Sequence, residues 1–300
     1  MLNGLLLLDK PVGFRSAQCV AKVKCLLGGR VGHAGALDST ASGLLLALLG
    51  TTTRLSDYIM KLPKVYETLV RLGVSTDTCD ASGRVIFRGD PSKINESAFD
   101  RVLCSFWGTR MQRPPEISAL KVNGKPSYKT ARGGEEAPPL TPRPVTVTSA
   151  ERRSPLADGA VCISVTCGKG VYIRALVRDI GERLGCGAHV GELRRLSIGP
   201  FRVSDACPPD GPLKYFRSPR EVGSAFHRVL LTPEAEDRLL KGLYVPLTGA
   251  GRYVPGVVAL KDDLCVEGAS MIGFAKLVEV EGDLVLKPKA NVAVRSEVAG

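Results

Sequence analysis

Gly32-His33-Ala34-Gly35-Ala36-Leu37-Asp38-Ser39 runs through Thr40-Ala41-Ser42-Gly43 into Leu44-Leu45-Leu46-Ala47-Leu48-Leu49. Asp38 is the only acidic residue between Asp9 and Asp57, and six Lys or Arg residues share that interval. A single carboxylate in a basic stretch of small residues marks a place where a polyanion comes close to one negative group. Local pattern offers a second reading, in which Asp38 caps a helix, because Asp-Ser-Thr ahead of an apolar run is a common start signal. The cap leaves the glycines upstream unexplained. Gly32 and Gly35 flank His33, and such glycines serve where backbone turns sharply or lies against a ligand.

Composition narrows the partner. The 300 residues suffice for one large core and a smaller module, and the 44% hydrophobic content is ordinary for a soluble protein. A formal net charge of +11 and a pI near 9.3 point to an acidic partner, nucleic acid first, with anionic membrane surfaces left open. The apolar runs at 5–8 and 44–49 are too short to span a bilayer, and the first ends in Asp9-Lys10-Pro11, unlike a signal peptide. Nine cysteines without a Cys-x-x-Cys pair read as reduced thiols of a cytosolic protein, not as a disulfide framework or zinc site. His33, His189 and His227 are too dispersed for a metal cluster, and Gly28-Gly29-Arg30-Val31-Gly32-His33 lacks the Lys-Ser/Thr end of a phosphate loop. No metal and no cofactor are expected.

Periodicity supplies the organisation. Residues 5–8 read as a short buried strand that turns at Lys10-Pro11-Val12-Gly13. Ser16 begins a helix with Ala17, Val20, Val23, Leu26 and Leu27 on its apolar face, closed by Gly28-Gly29. A helix is expected from Thr52 or Thr53 to about Met60, and residues 66–74 alternate as a half-buried strand. Residues 114–144 carry Pro and Gly with Lys and Arg between them and read as a long excursion from the core. Residues 161–166 form a strand, and 171–184 an amphipathic helix on Ile173, Leu176, Val177, Ile180 and Leu184, stopped by Gly185. A β-rich second unit is expected from about residue 230, with strands at 257–260, 275–280 and 284–286.

Several of these stretches, in this order, resemble the TruB-type tRNA pseudouridine synthases. Leu7-Leu8-Asp9-Lys10-Pro11-Val12-Gly13 is similar to the family's opening Lys-Pro-x-Gly box, and residues 32–38 to the box that carries its aspartate. Lys64-Val65-Tyr66, Arg71-Leu72-Gly73, Thr76-Asp77-Thr78 and Asp80 resemble the next block. Pro114-Pro115, Ser118-Ala119, Lys121-Val122, Gly124, Tyr128 and Ala131-Arg132 resemble an RNA-gripping insertion. Lys169-Gly170-Val171-Tyr172-Ile173-Arg174, Gly187-Ala188-His189-Val190 and Leu193-Arg194-Arg195-Leu196 complete the set.

The resemblance implies an α/β (α+β) fold: a pseudouridine-synthase catalytic domain on a mixed sheet over 1–222, with a thumb insertion at about 114–144. A small β-rich, PUA-like RNA-binding domain would follow over 223–300. Three residues depart from the family pattern: Ala34 stands where threonine is usual, Ser39 where proline is usual and Ser42 where threonine is usual. A looser loop around Asp38 is the expected consequence, affecting rate more than reaction type.

The implied reaction converts uridine to pseudouridine at position 55 in the T-arm loop of tRNA. It breaks the bond from N1 to C1′, rotates the uracil and rejoins it through C5. A carboxylate can attack C1′ or take a proton from C2′, and both routes stay open. By resemblance that carboxylate is Asp38. Arg174 would keep it ionised and oriented, and Tyr66 would stack on the base. Tyr172 and Leu193 would line the same pocket, and Asp80 would lie in the active site. His33 would fill the gap left by the flipped nucleotide, and Lys10 would support the site from behind. On spacing alone Arg174 reads as a surface helix residue, Tyr66 and Leu193 as core, Asp80 as part of a turn, and His189 as a packed residue.

Lys61, Lys64, Lys121, Lys125, Lys129, Arg132, Arg143, Arg194 and Arg195 would meet RNA phosphates. The expected partner is tRNA alone, bound by a cytoplasmic monomer with no membrane association and no obligatory protein partner. The alternative is a non-catalytic tRNA-binding folding chaperone on the same scaffold. A catalytic subunit of a guide-RNA machine is disfavoured by the thumb-like insertion.

Overall fold

The computed structural model describes residues 3–116, 121–122, 125–126, 141–211 and 216–294. Most of the expected thumb, including Ser118, Ala119, Gly124, Tyr128, Lys129 and Arg132, lies outside the described residues. Lys121 and Lys125 are described only as backbone, in the paired strands Lys121–Val122 and Lys125–Pro126. Two compact units emerge: Met1–Asp38, Gly43–Leu62 and Ile198–Gly300 form one, and Ser39–Ser42 with Pro63–Ser197 form the other.

In the first unit, Gly4–Lys10 pairs antiparallel with Ser42–Leu49, Leu5 opposite Leu48 and Lys10 opposite Gly43. Side chains alternate between the two faces of a strand. Leu5, Leu7, Leu44, Leu46 and Leu48 accordingly enter one cluster with Leu55, Tyr58, Ile59, Phe226 and Phe274. Leu6, Leu8, Leu45, Ala47 and Leu49 enter another with Cys19, Val23 and Cys207. Burial on both faces hides the period of two and leaves an unbroken apolar run.

The helix-cap reading of Asp38 is therefore overturned. The chain leaving Asp38 enters the strand Ser42–Leu49 and not a helix. A strand between two apolar layers buries every side chain of the run, whereas a helix would bury one face.

The helix Ser16–Leu27 ends at Gly28 as expected, but its buried residues are Ser16, Cys19 and Val23. Leu26 and Leu27 are exposed, so the inward stripe follows 16, 19 and 23, where a buried Cys behaves as a small hydrophobe. Gly50–Leu55 is a 3-10 turn that continues into the helix Ser56–Ile59.

The C-terminal part of this unit is a six-stranded sheet in the order Val245–Pro246, Asp283–Ala293, Met271–Val280, Asp263–Glu267, Arg228–Leu231, Gly251–Val254. The expected strand at 257–260 does not form. Val258 makes one isolated bridge to Phe226, and Val257 is 89% exposed. The helix Pro233–Leu240 begins at Thr232, whose side chain accepts from the amide of Ala235.

The second unit carries a sheet in the order Ala188–Ile198, Lys64–Leu72, Ala160–Cys167, Arg143–Arg152, Gly108–Gln112. Phe99 and Leu103 of the helix Glu96–Cys104 share a core with Leu176, Val177 and Ile180 of the helix Ile173–Leu184 and with strand residues Val70, Val147, Val161 and Val165. Asn95 caps the first helix by accepting from the amide of Ala98, and Gly185 ends the second in a left-handed conformation. Among the described residues no helix is long and apolar enough to cross a membrane.

Candidate active site

Among the described residues of the second unit, Asp80 is a carboxylate held by several donors. The chain reaches it through Cys79, whose φ of +60° is left-handed. Two backbone bonds stitch the turn to the strand Ala188–Ile198: Val190 N donates to Cys79 O at 3.0 Å and Ala81 N to Val190 O at 2.9 Å. Asp80 Oδ1 accepts from Thr78 Oγ1 at 2.7 Å, Ser82 N at 3.0 Å and Ser82 Oγ at 2.6 Å. Its Oδ2 accepts from Thr40 Oγ1 at 3.2 Å and lies 3.9 Å from Arg174 Nη1. Burial pushes the carboxyl pKa up, but the Ser82 and Thr78 donors and the Arg174 charge outweigh burial and hold it below the ordinary carboxylate value.

Arg174 is the second residue of its helix, and it is buried. The surface reading from helical spacing fails because Nη1 turns inward to donate to Thr78 O at 2.9 Å. The entry to that helix is clamped by Gln112. Tyr172 N donates to Gln112 Oε1 at 2.9 Å, and Gln112 Nε2 donates to Tyr172 O at 3.1 Å. Gln112 is 2% exposed, so its amide is committed to fixing the peptide that precedes Ile173 and Arg174. Sequence reasoning passed it over, since a polar residue closing a short strand carries no periodic signal.

Tyr66 projects from the strand Lys64–Leu72 opposite Val165. Arg195 Nη1 lies 3.5 Å from the Tyr66 hydroxyl, and the guanidinium carbon sits 6.0 Å from the ring centroid. Arg195 is 1% exposed and Lys64 is buried, which corrects their expected place among the phosphate-facing cations. Burial lowers the Lys64 pKa to about 8, with the Arg195 charge adding to the effect. A buried cation, Arg195, thus lies beside the tyrosine, and its charge is felt by the buried Lys64. Leu193 is partly buried against the core of the same unit, and His189 Nδ1 bonds to Val74 O at 2.9 Å.

The approach to Asp38 belongs to the first unit. Lys10 is fully buried, and its ammonium donates to Pro11 O at 2.9 Å and Phe14 O at 2.8 Å, closing the turn of the opening box. His33 lies in the strand Val31–Ala34 opposite Ala47. Gly35 has φ +82°, a conformation that favours glycine. Gly32 does not need it: a Cβ there would meet only the Thr53 methyl at ordinary contact distance. Leu37 is held on both of its peptide groups by Ser16. Leu37 N donates to Ser16 Oγ at 2.8 Å, and Ser16 Oγ donates to Leu37 O at 3.1 Å. Asp38, half-buried, follows at once.

The next four residues, Ser39–Ser42, are counted with the second unit. Ala41 is fully buried, Thr40 donates to Asp80, and Ser42 Oγ accepts from Arg194 Nη1 at 3.4 Å. No sequence signal tied Ser16, Thr40, Thr78 and Ser82 to these partners, because a hydroxyl declares its partner only in three dimensions. Among the described residues no group of three or more His, Cys, Asp or Glu side chains could hold a metal ion, and all nine cysteines are free thiols.

Comparison with known proteins adds a relationship to this geometry. Residues 21–173 match the model of the TruB family pseudouridylate synthase N-terminal domain. Residues 174–208 match that of the tRNA pseudouridylate synthase B C-terminal domain. A protein named tRNA pseudouridine synthase B from Ruegeria pomeroyi is 39% identical over 99% of this chain and 97% of its own length. One of the same name from Stutzerimonas stutzeri is 44% identical over 68% of this chain, the match spanning 66% of that protein's length. A solved chain in a Cbf5-Nop10-Gar1 complex shares the fold, with a TM-score of 0.73 at 24% identity over 97% of this chain and 84% of its own.

Proposed function

The chain belongs to the TruB family of pseudouridylate synthases, and from that premise we propose that it isomerises uridine to pseudouridine at position 55 in the T-arm loop of tRNA. Asp38 is the group that acts at the sugar. Bond breaking at N1–C1′ and bond making at C5–C1′ leave the atom count unchanged, with one proton lost from C5 and one gained at N1. Tyr66 stacks on the flipped base, and Arg174 keeps charge and orientation in place at the site. Tyr172 and Leu193 line the pocket, His33 takes the space of the flipped nucleotide, and Lys10 holds the turn before it. Residues 1–222 perform the chemistry, and 223–300 grip the tRNA as a PUA-like module. The enzyme works as a cytoplasmic monomer.

The observation that supports this reading most is the wiring around the box that carries Asp38. One residue before it, Leu37 is fixed by Ser16; two residues after it, Thr40 bonds to the carboxylate that faces Arg174. A stretch serving only as a connection would not be held at both ends by buried polar groups, which are costly to build unless satisfied.

The test uses tRNA carrying tritium at C5 of uridine. The intact chain releases the label from position 55, and Asp38→Asn releases none while binding tRNA with a Kd within about twofold of the parent. Binding without any release by the parent would favour the folding-chaperone alternative instead.

A further inference from the structure

We propose that Thr40 is a positioning residue for Asp38, its hydroxyl fastening the loop to Asp80 in place of the backbone rigidity that a proline at position 39 would supply. The inference rests on the function proposed above and concerns how the reacting loop is held.

Ser39 leaves that position with ordinary backbone freedom, and it is exposed. Thr40 is exposed overall, but its Oγ1 points to Oδ2 of a carboxylate that is 5% exposed. That acceptor is a rigid one. Three donors hold Oδ1, so the carboxylate cannot rotate without breaking bonds to Thr78 and to both groups of Ser82. The oxygen left for Thr40 is the one facing Arg174. Two residues of chain span at most about 7 Å, so pinning residue 40 confines the backbone of Asp38 to a small volume. The Ser16 bonds to Leu37 confine it from the other side. A hydroxyl bonded to a charged acceptor also outperforms one bonded to a neutral group. Reaction rates fall by orders of magnitude when a reacting group is misplaced by an ångström, so a bond that only positions the loop is visible in turnover.

The experiment compares Thr40→Val, which keeps the shape and removes the hydroxyl, with Thr40→Ser, which keeps the hydroxyl. Single-turnover release of C5 tritium, tRNA Kd and thermal melting are measured on the same preparations. Thr40→Val should slow release about tenfold, with Kd unchanged within about twofold and a folded fraction equal to the parent's, while Thr40→Ser stays within about threefold of the parent. Release at the parental rate by Thr40→Val, or equal slowing in both variants, overturns the inference and leaves the proposed function standing. If the parent chain itself releases no tritium, the proposed function fails and this inference with it. An Asp80→Asn/Thr40→Val double variant no slower than Asp80→Asn alone would show that the hydroxyl acts through Asp80; fully multiplicative losses would contradict that route.

Discussion

Asp38 and Asp80 are both carboxylates at the ends of tight loops, yet they are built in opposite ways. Asp80 is buried, with three donors on one oxygen and a hydroxyl and a guanidinium at the other. Asp38 is half-buried at the end of a glycine-bearing loop, and Leu37 before it and Thr40 after it are bonded to Ser16 and Asp80. A carboxylate saturated with donors is stabilised as a charge and is a poor nucleophile or base. Asp38 is the carboxylate that the proposed function places at the sugar, and the chain on either side of it is anchored at Leu37 and Thr40. The bonds around Asp80 make it framework, and the proposed function gives the chemistry to Asp38.

The largest test of that contrast on stability is Asp80→Asn. It removes a buried charge that accepts from Thr78, Ser82 and Thr40, and losing hydrogen bonds to a buried charged group costs about 3 kcal/mol. Urea denaturation at pH 7 should show that loss, with the fold retained. If Asp80→Asn is as stable as the parent, Asp80 is not the framework carboxylate.

Acid sharpens the same point with a smaller effect. The folded pKa of Asp80 lies below its ordinary value, so the unfolded state binds more protons in the window between the two. The stabilisation is therefore present above the unfolded carboxylate pKa, about 3.9, and is lost as pH falls through the folded one. Denaturation midpoints between pH 5 and pH 3 should fall more steeply for the parent than for Asp80→Asn; parallel curves would remove Asp80 from the acid response.

Ser16→Ala is the mildest change, removing the two bonds to Leu37 at a cost of about 1 kcal/mol. Tritium release should slow while the melting temperature drops only by a few degrees. Unchanged release would detach the Leu37 end of the loop from the chemistry.

The parts legible in sequence were those with a local cause. Residues 5–8, 66–74 and 161–166 showed as strands, the second ending at Leu72, and Gly28 and Gly185 marked helix ends, because hydrophobic period and left-handed glycine are properties of neighbouring residues. The run 44–49 was ambiguous because a strand buried on both faces has no polar residues to reveal its period. Arg195 and Lys64 looked like phosphate ligands, since a cation's burial depends on strands far apart in the chain. The candidate site was legible as a set of residue types, through resemblance to a family. Its wiring through Ser16, Thr40, Ser82 and Gln112 was not, since each of those contacts is made by an unremarkable polar residue to a partner or peptide whose position only the fold sets.

The expectation of a looser Asp38 loop rested on Ser39 in place of proline and Ala34 in place of threonine. The Thr40–Asp80 bond offers a different means of holding it.

The division of labour between the two carboxylates is tested most directly by single-turnover tritium release from Asp38→Asn and Asp80→Asn, measured side by side at saturating tRNA with both proteins shown to be folded. Asp38→Asn should release no label over hours, and Asp80→Asn should release it completely but roughly a hundredfold more slowly than the parent. Turnover by Asp38→Asn together with none by Asp80→Asn would contradict the assignment.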